Sequence, residues 1–407
     1  MRGTVIGKAT GWAHGMAGVL CLLPFTAWSA AGEALSPESA ASTVSAGNQS
    51  SPSIASAADG RSVIAWTDSG ADGSGSGVYA RRYLANGEPA GPVFALHTST
   101  TGNQDQVRVA MQPNGLFAAV WRSDADGSSP RVHVRLYDAE GAPLSTEVRA
   151  DPSSLFAARE PAIAADGQGR YTVVWTAFGV DADAFGIALQ RLSSTGTLIG
   201  GATRINNFET GTQSRPRVAC GQAGQCTVTW QSFGQDTDLN GIYARRIAAD
   251  GSYASDEFQV NEIGSRDQNS PSIAMYPDGA TLIAWTDFHL DGDGGSIAFR
   301  RYAANGTALE SPRLANLTIP GTQSAPAVAV DANNQWLFAW QAGTQDGDGT
   351  GIILRAMASD GTLVPAERIA NSATTGDQNQ VTAAVDADGD VLLAWNSVGQ
   401  DGDGDGI

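Results

Sequence analysis

Apolar and polar residues alternate along this chain in short runs separated by Gly, Asp and Asn. The run PSIAMY (271–276) leads into the turn PDGA, then TLIAW (281–285), an Asp/Gly-rich loop, SIAFRRYA (296–303), the turn ANGT and the extended piece SPRLANLT (311–318). Period-two alternation bounded by turn residues predicts four short antiparallel strands in this unit. The unit recurs along the chain. Tryptophan stands at Trp66, Trp121, Trp175, Trp230, Trp285, Trp340 and Trp395, at spacings of 54 or 55 residues. Glutamine lies 17 residues earlier in six copies (Gln49, Gln104, Gln213, Gln268, Gln323, Gln378), and Ala158 breaks the rule in the third. Aliphatic or aromatic residues 12 and two places before the tryptophan, such as Ile273 and Ile283 or Val328 and Phe338, mark buried strand positions. The tryptophans are therefore expected to be packing residues.

Units of this length with four strands each predict an all-β fold, a seven-bladed β-propeller of four-stranded antiparallel blades. Residues 32–49, GEALSPESAASTVSAGNQ, align without a gap on 361–378, GTLVPAERIANSATTGDQ. The mature chain thus begins with a fourth strand lacking its own blade, which would complete the last one and remove exposed edges. The seventh copy stops at Ile407, where its third strand should start. The last blade is accordingly expected to be incomplete in this chain, with a continuation beyond it.

Arg2 and Lys8 precede the apolar run MAGVLCLLPFTAWSAA, which is short for a bilayer and ends in small residues. Residues 1–31 are expected to be a secretory signal peptide and 32–407 the propeller, exported to the periplasm, the cell surface or the medium. Removing the signal leaves 22 basic against 42 acidic residues, a net charge of −20. Such a charge disfavours nucleic acid and anionic lipid as partners and favours solubility and cations. Cys220 and Cys226 flank a turn, and in an oxidising compartment a disulfide between them is expected. The histidines outside the signal, His97, His133 and His289, have no metal-ligand spacing and are expected at the surface.

The loop after each tryptophan carries the candidate chemistry. It holds Asp181 and Asp183 in the third copy, Asp236, Asp238 and Asn240 in the fourth, and Asp291 and Asp293 in the fifth; Asp346 and Asp348 follow in the sixth, and Asp401, Asp403 and Asp405 in the seventh. Oxygen ligands at alternate positions followed by glycine are what Ca²⁺ loops use. Two or three carboxylates in one short loop repel, and a bound cation would offset that. Turn chemistry alone is the alternative, because Asp and Gly also suit left-handed turns, and no acidic residue closes the loop at its ninth or twelfth place. The second copy, RSDADGSSPR, is shortened, and the joint DPSSLFAARE lacks the glutamine. A specific ligand would be sought there, at Arg122, Arg131 and Arg159.

The pattern G-x-Q…P-x-[IV]-A…DG…W…GQDGDGxGI…A-R-R resembles a tandem repeat of about 55 residues found in large exported bacterial proteins, often beside RTX-type calcium repeats or cadherin-like modules. The resemblance covers residues 32–407. It implies an exported, calcium-stabilised binding or adhesion scaffold that meets a protein or glycan ligand outside the cell. A monomer with no catalytic activity is expected, because regular repetition argues against one asymmetric catalytic constellation. A glycan-active propeller enzyme, sialidase- or lyase-like, is the alternative, and a purely structural envelope module is a third.

Overall fold

The computed structural model describes residues 38–43, 47–125, 127, 129–151, 157–181, 183–262, 264–343, 345–400 and 404–407. They form seven antiparallel sheets, six of four strands and a last one of three, joined in sequence as blades of a propeller. Among the described residues there is no helix long and apolar enough to cross a membrane. Within each sheet the strands follow chain order, so every connection inside a blade is a hairpin.

The tryptophans sit in the second strands and are fully buried, each wedged against the blade before it. Trp175 packs on Val120, Val132 and Val134 of the second blade, and Trp340 on Leu282, Ile297 and Phe299 of the fifth. The ring closes by the same contact: Trp66 of the first blade packs on Leu392, Ala394 and Ile407 of the seventh. The segment before the first blade lies where the alignment placed it. Ala41 donates its backbone N–H to Ile407 O at 2.7 Å, matching the bond from Ala370 to Ile352 (2.8 Å) at the fourth strand of the sixth blade. Glu38 then takes the Ser372 N–H at 2.8 Å.

Third-strand arginines join neighbouring blades. Arg245 donates to Ser255 O of its own blade (3.2 Å) and to Ile205 O of the preceding one (2.9 Å); Arg300 repeats this with Glu310 O and Val260 O, and Arg355 with Val364 O and Ala315 O. Gln190 replaces the arginine in the third blade and bonds only within that blade, to Ile199 O. Cys220 and Cys226 face each other across the hairpin and are joined by a disulfide.

Truncating a wedge tests this account. Trp66→Ala is expected to lower the unfolding free energy by about 3–5 kcal/mol, the usual cost of emptying a buried aromatic site. Denaturant titration measures it, and a loss under about 1 kcal/mol would mean that ring closure does not depend on this contact.

Candidate functional site

The Asp loops are built as clamps. In the third to sixth blades an asparagine seven places before the glutamine accepts, through Oδ1, an isoleucine N–H near the start of the third strand, as Asn261 does from Ile242 at 2.8 Å. Its Nδ2 donates to the glutamine Oε1: Asn206 to Gln213, Asn261 to Gln268, Asn316 to Gln323 and Asn371 to Gln378, at 3.0–3.2 Å. The same Nδ2 reaches the first loop aspartate at Asp181 (3.1 Å), Asp236 (3.2 Å) and Asp346 (2.7 Å). The second loop aspartate caps the next joint. Asp183 accepts from Gly211 N–H and Asp238 from Arg266 N–H, both at 2.8 Å, and Asp293 and Asp348 accept from Gly321 and Gly376 at 3.3 Å.

Asp291 instead accepts from Asp293 N–H at 3.1 Å, Asn240 donates to Asp267 at 2.7 Å, and Asp405 opens the last strand beside Asn48. Asp401 and Asp403 lie outside the described residues. Burial pushes the Asp236 carboxyl above the usual aspartate range despite its donors. Among the described residues no three acidic, His or Cys side chains gather as a metal cluster. In the loops of the third, fourth and fifth blades one carboxylate oxygen each, Asp181 Oδ1, Asp236 Oδ1 and Asp291 Oδ2, is nevertheless buried with no donor.

The exceptions to the clamp follow from donor count. Asp151 stands at the asparagine position of the second blade and accepts the Val132 N–H at 3.1 Å, but as a carboxylate it has nothing to donate to a glutamine, and Ala158 stands there instead. His97 occupies the position in the first blade. It is buried rather than at the surface, with Nδ1 on the Val78 N–H (3.2 Å) and Nε2 on Asp72 (3.3 Å). No ring N–H remains for Gln104, whose Oε1 is left without a partner.

A cavity of about 500 Å³ runs down the ring axis, lined by the first strands of six blades and the start of the first. Every first strand carries a β-bulge, and at each bulge a non-glycine residue adopts positive φ: Ser51, Gln106, Glu160, Arg215, Ser270, Ala325 and Gln380, at 52–56°. Left-handed backbone at such residues costs about 1–3 kcal/mol each and persists only where surrounding contacts hold it. Those contacts run around the channel mouth. Gln106 Oε1 accepts the Glu160 N–H (2.7 Å), Glu160 Oε2 the Arg215 N–H (2.9 Å) and the Thr176 hydroxyl (2.8 Å), and Arg215 donates to Ser270 Oγ (2.8 Å). Gln231, Thr286, Gln341 and Gln380 accept the N–H groups of Ser270, Ala325, Gln380 and Ser51.

The mouth is not symmetric in charge. Arg108 and Arg217, two places beyond the bulge residues Gln106 and Arg215, project into the cavity beside Arg215 and Glu160. Burial, reinforced by the Arg217 charge, drives the Arg108 guanidinium down to about 9; burial also lowers Arg217, with Arg215 adding to the effect and Glu160 opposing it. Arg108 and Arg217 donate only to the carbonyls of Val107 and Pro216, and among the described residues Arg108, Arg215 and Arg217 have no carboxylate within ion-pair distance. The three arginines singled out in the sequence are held in different ways. Arg122 pairs with Asp105, Arg131 with Asp151, and Arg159 lies over the Phe185 ring at 3.9 Å. Arg122 and Arg131 are thus paired within the protein, whereas the Nε of Arg159 is buried without a hydrogen-bond partner. The signal for the channel residues was there: aligned, the first strands read QSSPSI, QDQVRV, AREPAI, QSRPRV, QNSPSI, QSAPAV and QNQVTA, and charge at the third or fifth place appears only in copies two to four.

No family model and no curated protein sequence matches the chain. Several solved structures share its fold. An α-L-arabinanase of Penicillium chrysogenum complexed with arabinobiose superposes with a TM-score of 0.54 at 12% identity, covering 86% of this chain and 99% of that one. An α-L-arabinofuranosidase of Fusarium graminearum gives 0.53 at 10% identity over 80% and 92%, and an ulvan lyase bound to -[GlcA(1-4)Rha3S]- gives 0.53 at 9% identity over 86% and 91%. At these identities the likeness is one of fold. It corrects the expectation of a chain without catalytic activity, since the same architecture carries glycan chemistry in all three neighbours. That expectation rested on the regularity of the repeats, and regularity governs the tryptophan wedges and clamps but not the channel lining.

A glutamate bond between the first and second blades predicts a pH response. Glu147 is half-buried, which raises its carboxyl, but hydrogen bonds from His133 and from the Thr98 hydroxyl and N–H outweigh this and bring it from 4.5 to about 2. A folded-state value below the unfolded one stabilises the protein above about pH 4.5, and this contribution is lost as pH falls towards 2. Glu147→Gln should remove that part of the acid limb, so that melting curves of variant and parent differ at pH 6 and converge near pH 2. Curves that stay parallel over this range would show that Glu147 does not hold the joint.

Proposed function

We propose that the protein is a glycan-active propeller enzyme that takes an acidic polysaccharide at the arginine-lined mouth of its central channel. One observation carries this reading: three guanidinium groups without carboxylate partners converge on a cavity in a chain whose formal net charge is −18. A carboxylate or sulfate on a sugar would supply the missing charge, and guanidinium groups bind both by paired hydrogen bonds. The fold shared with an arabinanase, an arabinofuranosidase and an ulvan lyase supports a saccharide as the ligand class. Export, as the first 31 residues suggest, would bring the protein to such polymers.

The lining also favours one reaction class. Glycoside hydrolysis generally uses two carboxylates flanking the scissile bond, and the described channel lining offers one, Glu160. Elimination from a uronate needs its carboxylate neutralised, a base for the proton on the adjacent ring carbon, and loss of the neighbouring C–O bond. The electrons of the C–H bond become a C=C bond, and those of the C–O bond leave with the oxygen, which then takes a proton. In this reading Arg108, Arg215 and Arg217 neutralise the carboxylate and Glu160 takes the ring proton.

The test uses polygalacturonate as a polyuronate and arabinan as a neutral control. Arg108→Ala/Arg217→Ala should weaken polygalacturonate binding at least about tenfold, and the parent affinity should fall steeply with added salt. Glu160→Gln should abolish the ultraviolet-absorbing unsaturated product while leaving binding in place. Equal binding of arabinan, or no effect of the arginine substitutions, would refute the acidic-glycan reading.

A subsidiary proposal concerns Ca²⁺. The donor-free buried oxygens of Asp181, Asp236 and Asp291 are what a hard cation would seek, with loop carbonyls completing its shell. Free Ca²⁺ at 100 times its dissociation constant would stabilise the fold by about 2.7 kcal/mol per site. A melting temperature that rises in millimolar Ca²⁺ but not in Mg²⁺, relative to EDTA, is expected. The same melting temperature in all three would assign the loops to turn and clamp duty alone.

A further inference from the structure

Two exposed phenylalanines end second strands on the side of the propeller where the first strands, with their bulge residues Glu160 and Arg215, begin. Phe178 and Phe233 end the second strands of the third and fourth blades and are 41% and 50% exposed, although each belongs to a strand that is otherwise largely buried. Along a strand, side chains two places apart share a face and are about 7 Å apart. Phe178 is two places beyond Thr176, whose hydroxyl donates to Glu160, and Phe233 is two places beyond Gln231, which accepts the Ser270 N–H. Each ring therefore shares a strand face with a residue that bonds a bulge contact, in the third and fourth of the three blades that make the Glu160–Arg215–Ser270 contacts.

The Phe178 ring is held in place. It meets Phe185 edge to face at 5.3 Å, and the far ring is backed by the Arg159 guanidinium at 3.9 Å. The equivalent position is Ser69, Asp124, Gly343 and Val398 in the first, second, sixth and seventh blades, and Phe288 in the fifth. Aromatic residues at this place are thus confined to blades three to five, next to the charge asymmetry of the channel. Flat apolar rings on the same side of the blades as guanidinium groups that lack a carboxylate partner suit a ligand with one apolar C–H face and one anionic edge, which is the form of a uronate pyranose.

We propose that Phe178 and Phe233 stack against the sugar ring whose carboxylate Arg215 binds, and so select a saccharide over other polyanions. This rests on the acidic-glycan reading above. The experiment compares oligogalacturonate with polyglutamate, which carries carboxylates but no sugar ring, by calorimetric titration of the full chain. Phe178→Ala/Phe233→Ala should weaken oligogalacturonate about tenfold, leave polyglutamate affinity unchanged and leave the melting temperature within experimental error. The Phe178→Tyr/Phe233→Tyr variant should bind like the parent, and the corresponding Leu variant should not. Equal loss for both ligands, no loss for either, or full recovery by leucine would overturn stacking while the arginine site stands. A parent protein that binds no oligogalacturonate would overturn the glycan reading and this inference together.

Discussion

A four-stranded blade buries one face of its sheet but cannot by itself hide a tryptophan in its second strand. Each ring is covered only when the preceding blade is in place, as Trp175 is by Val120, Val132 and Val134. The requirement passes from blade to blade and ends only if the chain returns on itself, where Trp66 meets Leu392, Ala394 and Ile407. Closure is therefore a condition for burying the first tryptophan, and the bond from Ala41 to Ile407 serves it. The interblade arginines and the glutamate bonds to the joints act on the same contact from outside.

This constraint explains why the fold was legible and the site less so. The wedge demands the same residue at the same place in every copy, so its spacing survives in the sequence as a period. The Asn–Gln pair is legible for a related reason, since donor and acceptor must match: where Asp151 replaces the asparagine, Ala158 replaces the glutamine. His97 was misjudged because a lone histidine carries no period, and its burial follows from the niche that asparagine fills in other copies. Orphaned Gln104 Oε1 is the trace of that exchange.

The channel residues obey the opposite logic. A bulge position lining an open channel needs only a residue whose backbone can be held at positive φ, and Ser51, Ala325 and Arg215 all meet that condition. Packing places little demand on the side chain there, so chemistry is free to vary from blade to blade. Attention to what repeats therefore passes over these places, whereas attention to what varies at one repeated place finds Gln106, Arg108, Glu160, Arg215 and Arg217 at once.

Two kinds of position thus share one scaffold. The symmetric ones fix geometry, and their charges are answered locally, as Asp183 and Asp238 are by backbone N–H groups. The asymmetric ones carry charge that the protein leaves unanswered. Burying Arg108 beside the Arg217 charge, and Arg217 beside that of Arg215, costs stability that a purely structural channel would avoid with the Ser and Ala found in other blades. In the proposed reading an entering anion offsets that cost. The strained bulges point the same way, because side chains of neighbouring blades hold six of the seven left-handed residues and give a rigid rim, and a rigid rim loses little entropy on binding. An acidic sugar chain crossing blades two to four would meet such a rim already in its bound form.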